Sequence, residues 1–129
     1  MEYYVGQVAN FSKTISETDI YTFAGISGDF NPVHINKLEA EKSIFGRQVA
    51  HGILGASFIS TVIGMQLPGP GTIYMKQSLE FKAPIYIGDT VTAEVKIVDI
   101  NGNKAIMETK VTNQDGKTAI IGEAMVRLP

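Results

Sequence analysis

From Thr90 onward the chain alternates. Val91, Ala93, Val95 and Ile97 are separated by Thr92, Glu94 and Lys96, the period of two expected of a strand with one buried and one wet face. Asn101-Gly102-Asn103 supplies the residues a tight turn needs. The run 104–112 alternates again, Gln114-Asp115-Gly116 turns once more, and 118–128 makes a third strand. Consecutive strands joined by tight turns predict an antiparallel meander. The run 72–81, rich in branched and aromatic residues, predicts a further strand ahead of it, and a short one is expected near 8–13.

Upstream the period changes. Ser16-Glu17-Thr18-Asp19 reads as a capping box, with a serine hydroxyl to accept an orphan amide and an acid at the third helical position. The helix that follows carries Ile20, Phe23 and Ala24 at helical spacing, and Gly25 and Gly28 weaken it toward a stop just before Asp29. A second short helix is expected from Lys37, with Asn36 as cap and Glu39 three residues later, ending near Gly46. From Gly52 the chain is apolar on every side of a helical wheel as far as Ile63, which predicts a helix surrounded by protein. Leu67-Pro68-Gly69-Pro70-Gly71 stops it. One apolar helix followed by long antiparallel strands predicts an α+β fold with the sheet curled around the helix.

Length and charge narrow the function. At 129 residues the chain is expected to form one domain, residues 1–129. The net charge of −2 is scattered and leaves no basic stripe, so no nucleic-acid partner is expected. The longest apolar stretch is well short of the roughly 20 residues that span a bilayer, and no signal region opens the chain, so a cytoplasmic protein without a membrane partner is expected. With two histidines and no cysteine, no metal cluster is expected and thiol chemistry is excluded. A long sheet has edges to protect, and pairing them across a two-fold axis predicts a homodimer.

The candidate chemistry lies in Ser27-Gly28-Asp29-Phe30-Asn31-Pro32-Val33-His34, a segment whose proline keeps it from being a regular helix. Asp29 and His34 lie five residues apart on a bent path, with His34 ahead of the second short helix. An aspartate and an imidazole that converge there supply an acceptor and a proton donor near neutral pH, as general acid/base work on a bound water requires. Turn chemistry alone accounts for Asp-Phe-Asn-Pro equally well.

The surrounding residues are more specific. Tyr21-x-Phe23-Ala24-Gly25-x-Ser27-Gly28-Asp29-Phe30-Asn31-Pro32-Val33-His34, with Ala40 following, closely resembles the hydratase 2 motif of the MaoC-like, R-specific enoyl-CoA hydratases. His51-Gly52-Ile53-Leu54-Gly55-Ala56-Ser57 resembles the start of that family's central helix. Gln66-Leu67-Pro68-Gly69 through Tyr74, Gln77-Ser78-Leu79, Phe81-Lys82-Ala83-Pro84 and Gly88-Asp89 resemble its downstream strand and turn. The likeness covers nearly the whole chain and is nearest in style to the short, polyhydroxyalkanoate-type hydratases.

The resemblance implies a hot-dog fold and reversible syn hydration of trans-2-enoyl-CoA to (R)-3-hydroxyacyl-CoA. Coenzyme A is then part of the substrate and no separate cofactor is needed. Carried over, Asp29 and His34 are the catalytic pair that holds a water against C3, removes one of its protons and delivers a proton to C2 on the same face. Which of the two is the base toward water stays open. Asn31 is expected to orient the loop or the pair through its amide, and the backbone amide of Gly52 to polarise the thioester carbonyl. Ser57 is expected near the site, although a serine inside a helix usually bonds back to the preceding turn. His51 is expected to cap or pack at the helix start and to take no acid/base part. Arg47, Lys76 and Lys82 read either as contacts for coenzyme A phosphates at a channel mouth or, more often, as surface charges, and are not counted as site residues; Phe30, Ile53 and Phe81 read as either pocket lining or core. The alternatives are a carrier-protein dehydratase of fatty-acid synthesis, a hot-dog acyl-CoA thioesterase and a non-catalytic acyl-CoA binder.

Overall fold

A computed structural model describes residues 2–129. Strand β1 (Val8–Thr14) is followed by helices α1 (Glu17–Ser27), α2 (Pro32–Ile35), α3 (Lys37–Lys42) and α4 (Gly52–Met65), and then by strands β2 (Ile73–Phe81), β3 (Thr90–Asn101), β4 (Lys104–Thr112) and β5 (Thr118–Arg127). The five strands form one antiparallel sheet in the order β1-β3-β4-β5-β2. The predicted meander is β3-β4-β5. What the alternation did not reveal is that β2, next to β3 in the chain, pairs with β5 and lies at the far edge.

The inward positions of the meander are fully buried: Val91, Ala93, Val95 and Ile97 on β3, Ala105, Met107 and Val111 on β4, and Ile120, Ala124 and Val126 on β5. Helix α4 lies on them through Leu54, Phe58, Ile59, Val62 and Ile63. Burying a large aliphatic side chain contributes about 1.5–3 kcal/mol, so this single helix-on-sheet layer supplies most of the apolar burial.

Three expectations change in detail. The helix α4 is not enclosed on all sides: Ile53 and Met65 are 55% and 70% exposed, and Gly52, Ser57, Ser60 and Gly64 are exposed beside them. Within one chain the sheet covers only one side of the helix. The segment around Pro32 is only partly irregular, because the break is confined to residues 28–31. Proline stands at the first position of α2, where its missing amide hydrogen costs nothing, so His34 lies inside a one-turn helix. Helix α3 ends at Lys42, earlier than Gly46, with the Ser43 amide on the Ala40 carbonyl.

The capping box forms as read: the Asp19 amide donates to Ser16 Oγ at 3.0 Å and the Ser16 amide to Asp19 Oδ2 at 2.9 Å. That backbone donor, with Lys13 3.1 Å away, holds the Asp19 carboxyl below its usual range. Gly28 ends α1 in the left-handed region, at φ 81°. Among the described residues no helix is long and apolar enough to cross a membrane.

Ile59 is fully buried between α4 and the sheet. Ile59→Ala is expected to lower the stability of the chain by about 2–5 kcal/mol, read as a shift in the urea midpoint. A loss below about 1 kcal/mol contradicts this account of the core.

Candidate active site

Asp29 ends up beside His34 because the four residues from Gly28 to Asn31 turn the chain between α1 and α2. The Asp29 amide donates to Ser27 Oγ at 3.2 Å, and Asp29 Oδ1 accepts from the Asn31 amide at 3.1 Å. Asn31 caps α2, its Oδ1 facing the Val33 amide at 3.4 Å. The Asn31 backbone amide thus meets the Asp29 carboxylate, and its side chain caps the turn that carries His34.

His34 is fixed by residues that carry no motif. Its Nδ1–H donates to the Val49 carbonyl at 2.8 Å, and Gln48 Nε2 donates to the His34 carbonyl at 2.9 Å. The Val49 amide returns a bond to the Val33 carbonyl at 3.2 Å, and the Ala50 amide reaches the Ile85 carbonyl at 2.7 Å. Residues 48–50 therefore lace α2 to the start of α4. With Nδ1 committed as a donor, Nε2 is the ring atom left to accept a proton. Burial is the largest influence on this imidazole and pushes its pKa down, reinforced by His51 and opposed by the Val49 carbonyl and the Asp29 carboxylate.

A carboxylate oxygen of Asp29 and ring nitrogens of His34 and His51 lie within 4.8 Å of one another. The two imidazoles stack at 3.8 Å with 28° between their planes, and each turns one ring nitrogen to a main-chain carbonyl, His34 Nδ1 to Val49 and His51 Nε2 to Asp29. His51 is 2% exposed and stands at the cap position of α4, but its side chain makes no capping bond. Its Nε2–H instead donates to the Asp29 carbonyl at 2.8 Å. Of the two expected roles, capping is absent and packing is present: the ring lies against Phe23 and His34, and its Nε2–H ties the helix start to the loop.

That leaves the amino terminus of α4 without a side-chain cap, and the first amides of a helix have no partner within it. Gly52 is its first residue. It opens onto a cavity of about 580 Å³ also lined by His34, Asn31, Ile53, Phe81 and Lys82. A β-carbon at Gly52 would lie 2.6 Å from Phe81 Cε1, so glycine keeps both the amide and the cavity clear. Ile53 and Phe81 line the cavity, whereas Phe30 lies exposed outside it. Ser57 is not brought to the site: its hydroxyl donates to the Leu54 carbonyl and does not line the cavity. Lys82 is one residue that sequence reasoning set aside. Arg47 lies over the Tyr86 ring at 3.9 Å, and Lys76 is not among the lining residues. A second concavity, about 550 Å³, is lined by alternating Glu80, Glu94, Lys96, Glu108 and Lys110. It holds none of these groups and is the wet face of the strands.

A long antiparallel sheet wrapped on one apolar helix, with an acid and an imidazole meeting at the open start of that helix, defines a hot-dog enzyme. Residues 3–119 match the family model of the MaoC-like domain, and the chain belongs to that family. It is 51% identical, over 96% of its length and 87% of the relative's, to an (R)-specific enoyl-CoA hydratase of Rhodospirillum rubrum. The solved structure of the (R)-hydratase of Aeromonas caviae, described as involved in PHA biosynthesis, superimposes with a TM-score of 0.96 at 43% identity, covering 98% of both chains. A mitochondrial 3-hydroxyacyl-[acyl-carrier-protein] dehydratase of Solanum lycopersicum is 35% identical over 97% of this chain and 77% of its own.

The depressed basicity of His34 has a direct readout. Its titration midpoint is expected below 6.5, with the neutral ring protonated at Nδ1, in nitrogen-detected NMR of the two histidines. Because the folded chain resists this protonation, the group's contribution to stability is complete above that value and is lost as the pH falls below it. A midpoint above 6.5, or a proton on Nε2 of the neutral ring, contradicts the assignment.

Proposed function

We propose that the chain is an (R)-specific enoyl-CoA hydratase, a hydro-lyase that interconverts trans-2-enoyl-CoA and (R)-3-hydroxyacyl-CoA. The close relatives support the reaction and its handedness. The observation that carries the mechanism is the commitment of His34 Nδ1–H to the Val49 carbonyl, which leaves Nε2 to accept a proton on a ring that lies near the Asp29 carboxylate and shares a cavity with Gly52 at the open start of α4.

In this reading water lies between Asp29 and His34. The carboxylate accepts one hydrogen of the water and orients it, and His34 Nε2 removes the other as the oxygen bonds to C3. The electron pair of the double bond moves toward the thioester oxygen, which accepts a hydrogen bond from the Gly52 amide and lies in the positive field of the helix start. His34 then returns its proton to C2 on the face it came from. Hydroxyl and hydrogen thus add to the same side, and the reverse sequence is the dehydration. One preorganised amide donor is worth roughly 3 kcal/mol in such a transition state. A polyhydroxyalkanoate role follows the relative described as acting in PHA biosynthesis, and a cytoplasmic location belongs to the same reading.

The bare face of α4 and the edge strand β2 support a homodimer. Ile53 and Met65 on the helix and Ile73, Met75 and Phe81 on the strand are 46–70% exposed, and a second copy paired at β2 would hide that edge and cover apolar surface beside it. Sedimentation at micromolar concentration is expected to give about twice the chain mass of 14.0 kDa. A stable monomer contradicts the dimer.

Asp29→Asn and His34→Ala are each expected to lower the turnover of crotonyl-CoA at least about a hundredfold while folding normally, as judged by a native circular dichroism spectrum. Near wild-type turnover in either variant contradicts the pair. Comparing CoA with carrier-protein thioesters decides the carrier, where faster turnover of the protein-bound substrate would favour the dehydratase of fatty-acid synthesis. Release of free thiol from a saturated acyl-CoA, without loss of enoyl absorbance from crotonyl-CoA, would favour a thioesterase.

A further inference from the structure

His51 is a buried imidazole that the hydration chemistry above does not use. It is clamped between two rings, Phe23 at 4.9 Å and His34 at 3.8 Å. Packing alone does not account for an imidazole here. Among the described residues its Nδ1 is buried with no hydrogen-bond partner, a loss that an apolar ring of similar shape would avoid. What the imidazole supplies that such a ring cannot is the Nε2–H donated to the Asp29 carbonyl.

That bond differs in kind from the other two holds on Asp29. The Ser27 hydroxyl, at the last residue of α1, and the Asn31 amide, in the loop itself, are each only two residues away along the chain. His51 reaches across 22 residues from the start of α4. It is therefore the hold that ties Asp29 to the helix start at which Gly52 stands. Its ring face also supports His34, and its main chain runs directly into Gly52. It does not line the cavity.

From these contacts we infer that His51 is a positioning residue: its Nε2–H anchors the Asp29 main chain and its ring backs His34, so that both groups keep their station over the start of α4. The inference rests on the reading of Asp29 and His34 as the pair that handles water. Displacement of a reacting group by an ångström costs on the order of a hundredfold in rate, and a residue outside the cavity should spend that cost in kcat and leave KM alone.

Two substitutions separate the donor from the ring. His51→Phe keeps a stacking ring and removes the donor. His51→Gln places an amide nitrogen the same number of bonds from Cα as Nε2, whereas in His51→Asn the donor falls one bond short. On crotonyl-CoA, His51→Phe is expected to lower kcat about a hundredfold with KM little changed. His51→Gln should recover most of that loss and His51→Asn should not, with all three checked for a native circular dichroism spectrum and melt. Wild-type kcat in His51→Phe overturns the inference, as does a loss that resides in KM. Should the phenyl variant not fold, Gln and Asn variants of equal kcat overturn it, and a clear advantage of Gln supports it. Wild-type turnover in Asp29→Asn, run in the same assay, overturns the reading beneath it and this inference together. Wild-type turnover in His51→Phe, with Asp29→Asn inactive, overturns the positioning role alone.

Discussion

The site depends on a short lacing of main chain between residues 31–34 and 48–50. Two of its bonds are backbone to backbone or ring to backbone across α2, Val49 amide to Val33 carbonyl and His34 Nδ1 to Val49 carbonyl, and a third sends the Gln48 side chain to the His34 carbonyl. Together they settle which nitrogen of His34 carries its hydrogen. A second link, from the Ala50 amide to the Ile85 carbonyl, fastens the same segment beside the cavity wall. Residues 51 and 52 then follow with little freedom left. The orientation of the imidazole, the tie to Asp29 and the position of the first helical amide are consequences of one constraint.

The packed layer beneath supplies the rigidity. Helix α4 spends its buried face on the sheet and leaves its first turn at the surface of the cavity, so the element that stabilises the fold also delivers the oxyanion donor in the proposed mechanism. An open helix start is electrostatically useful only if nothing else satisfies it. Here the cap residue, His51, turns its side chain to the Asp29 carbonyl instead, and glycine at the next position keeps Phe81 from being pushed across the opening.

The strands were legible because Val91 to Ile97, and the runs after them, obey a period that only a half-buried strand satisfies. The crossover that carries β2 to the far side of β5 was not, because pairing partners leave no mark on a strand's own alternation. Helix α2 was hidden for a different reason: Pro32 reads as a breaker, and only the position of Asn31 as cap turns it into a starter. The exposed face of α4 escaped notice because a wheel scores Ile53 as apolar and therefore buried, while one sheet covers one side only. At the site, residue type and spacing fit a turn as well as an acid/base pair, and Asp29 and His34 were singled out by the resemblance of the whole surrounding motif to a known family. Val49 and Ala50 could not be singled out, since they act through main-chain groups that every residue possesses, and the contribution of His51 appears only once its ring is seen between Phe23 and His34.

The central claim is that one pair of side chains, laced to one helix start, handles both parts of the added water from a single face. The most direct test is hydration of crotonyl-CoA in deuterium oxide, with the configuration at C2 and C3 of the product read by NMR. The account predicts one diastereomer of (R)-3-hydroxybutyryl-CoA, with deuterium at C2 on the same face as the new hydroxyl. Deuterium on the opposite face, or a mixture of the two, would contradict it.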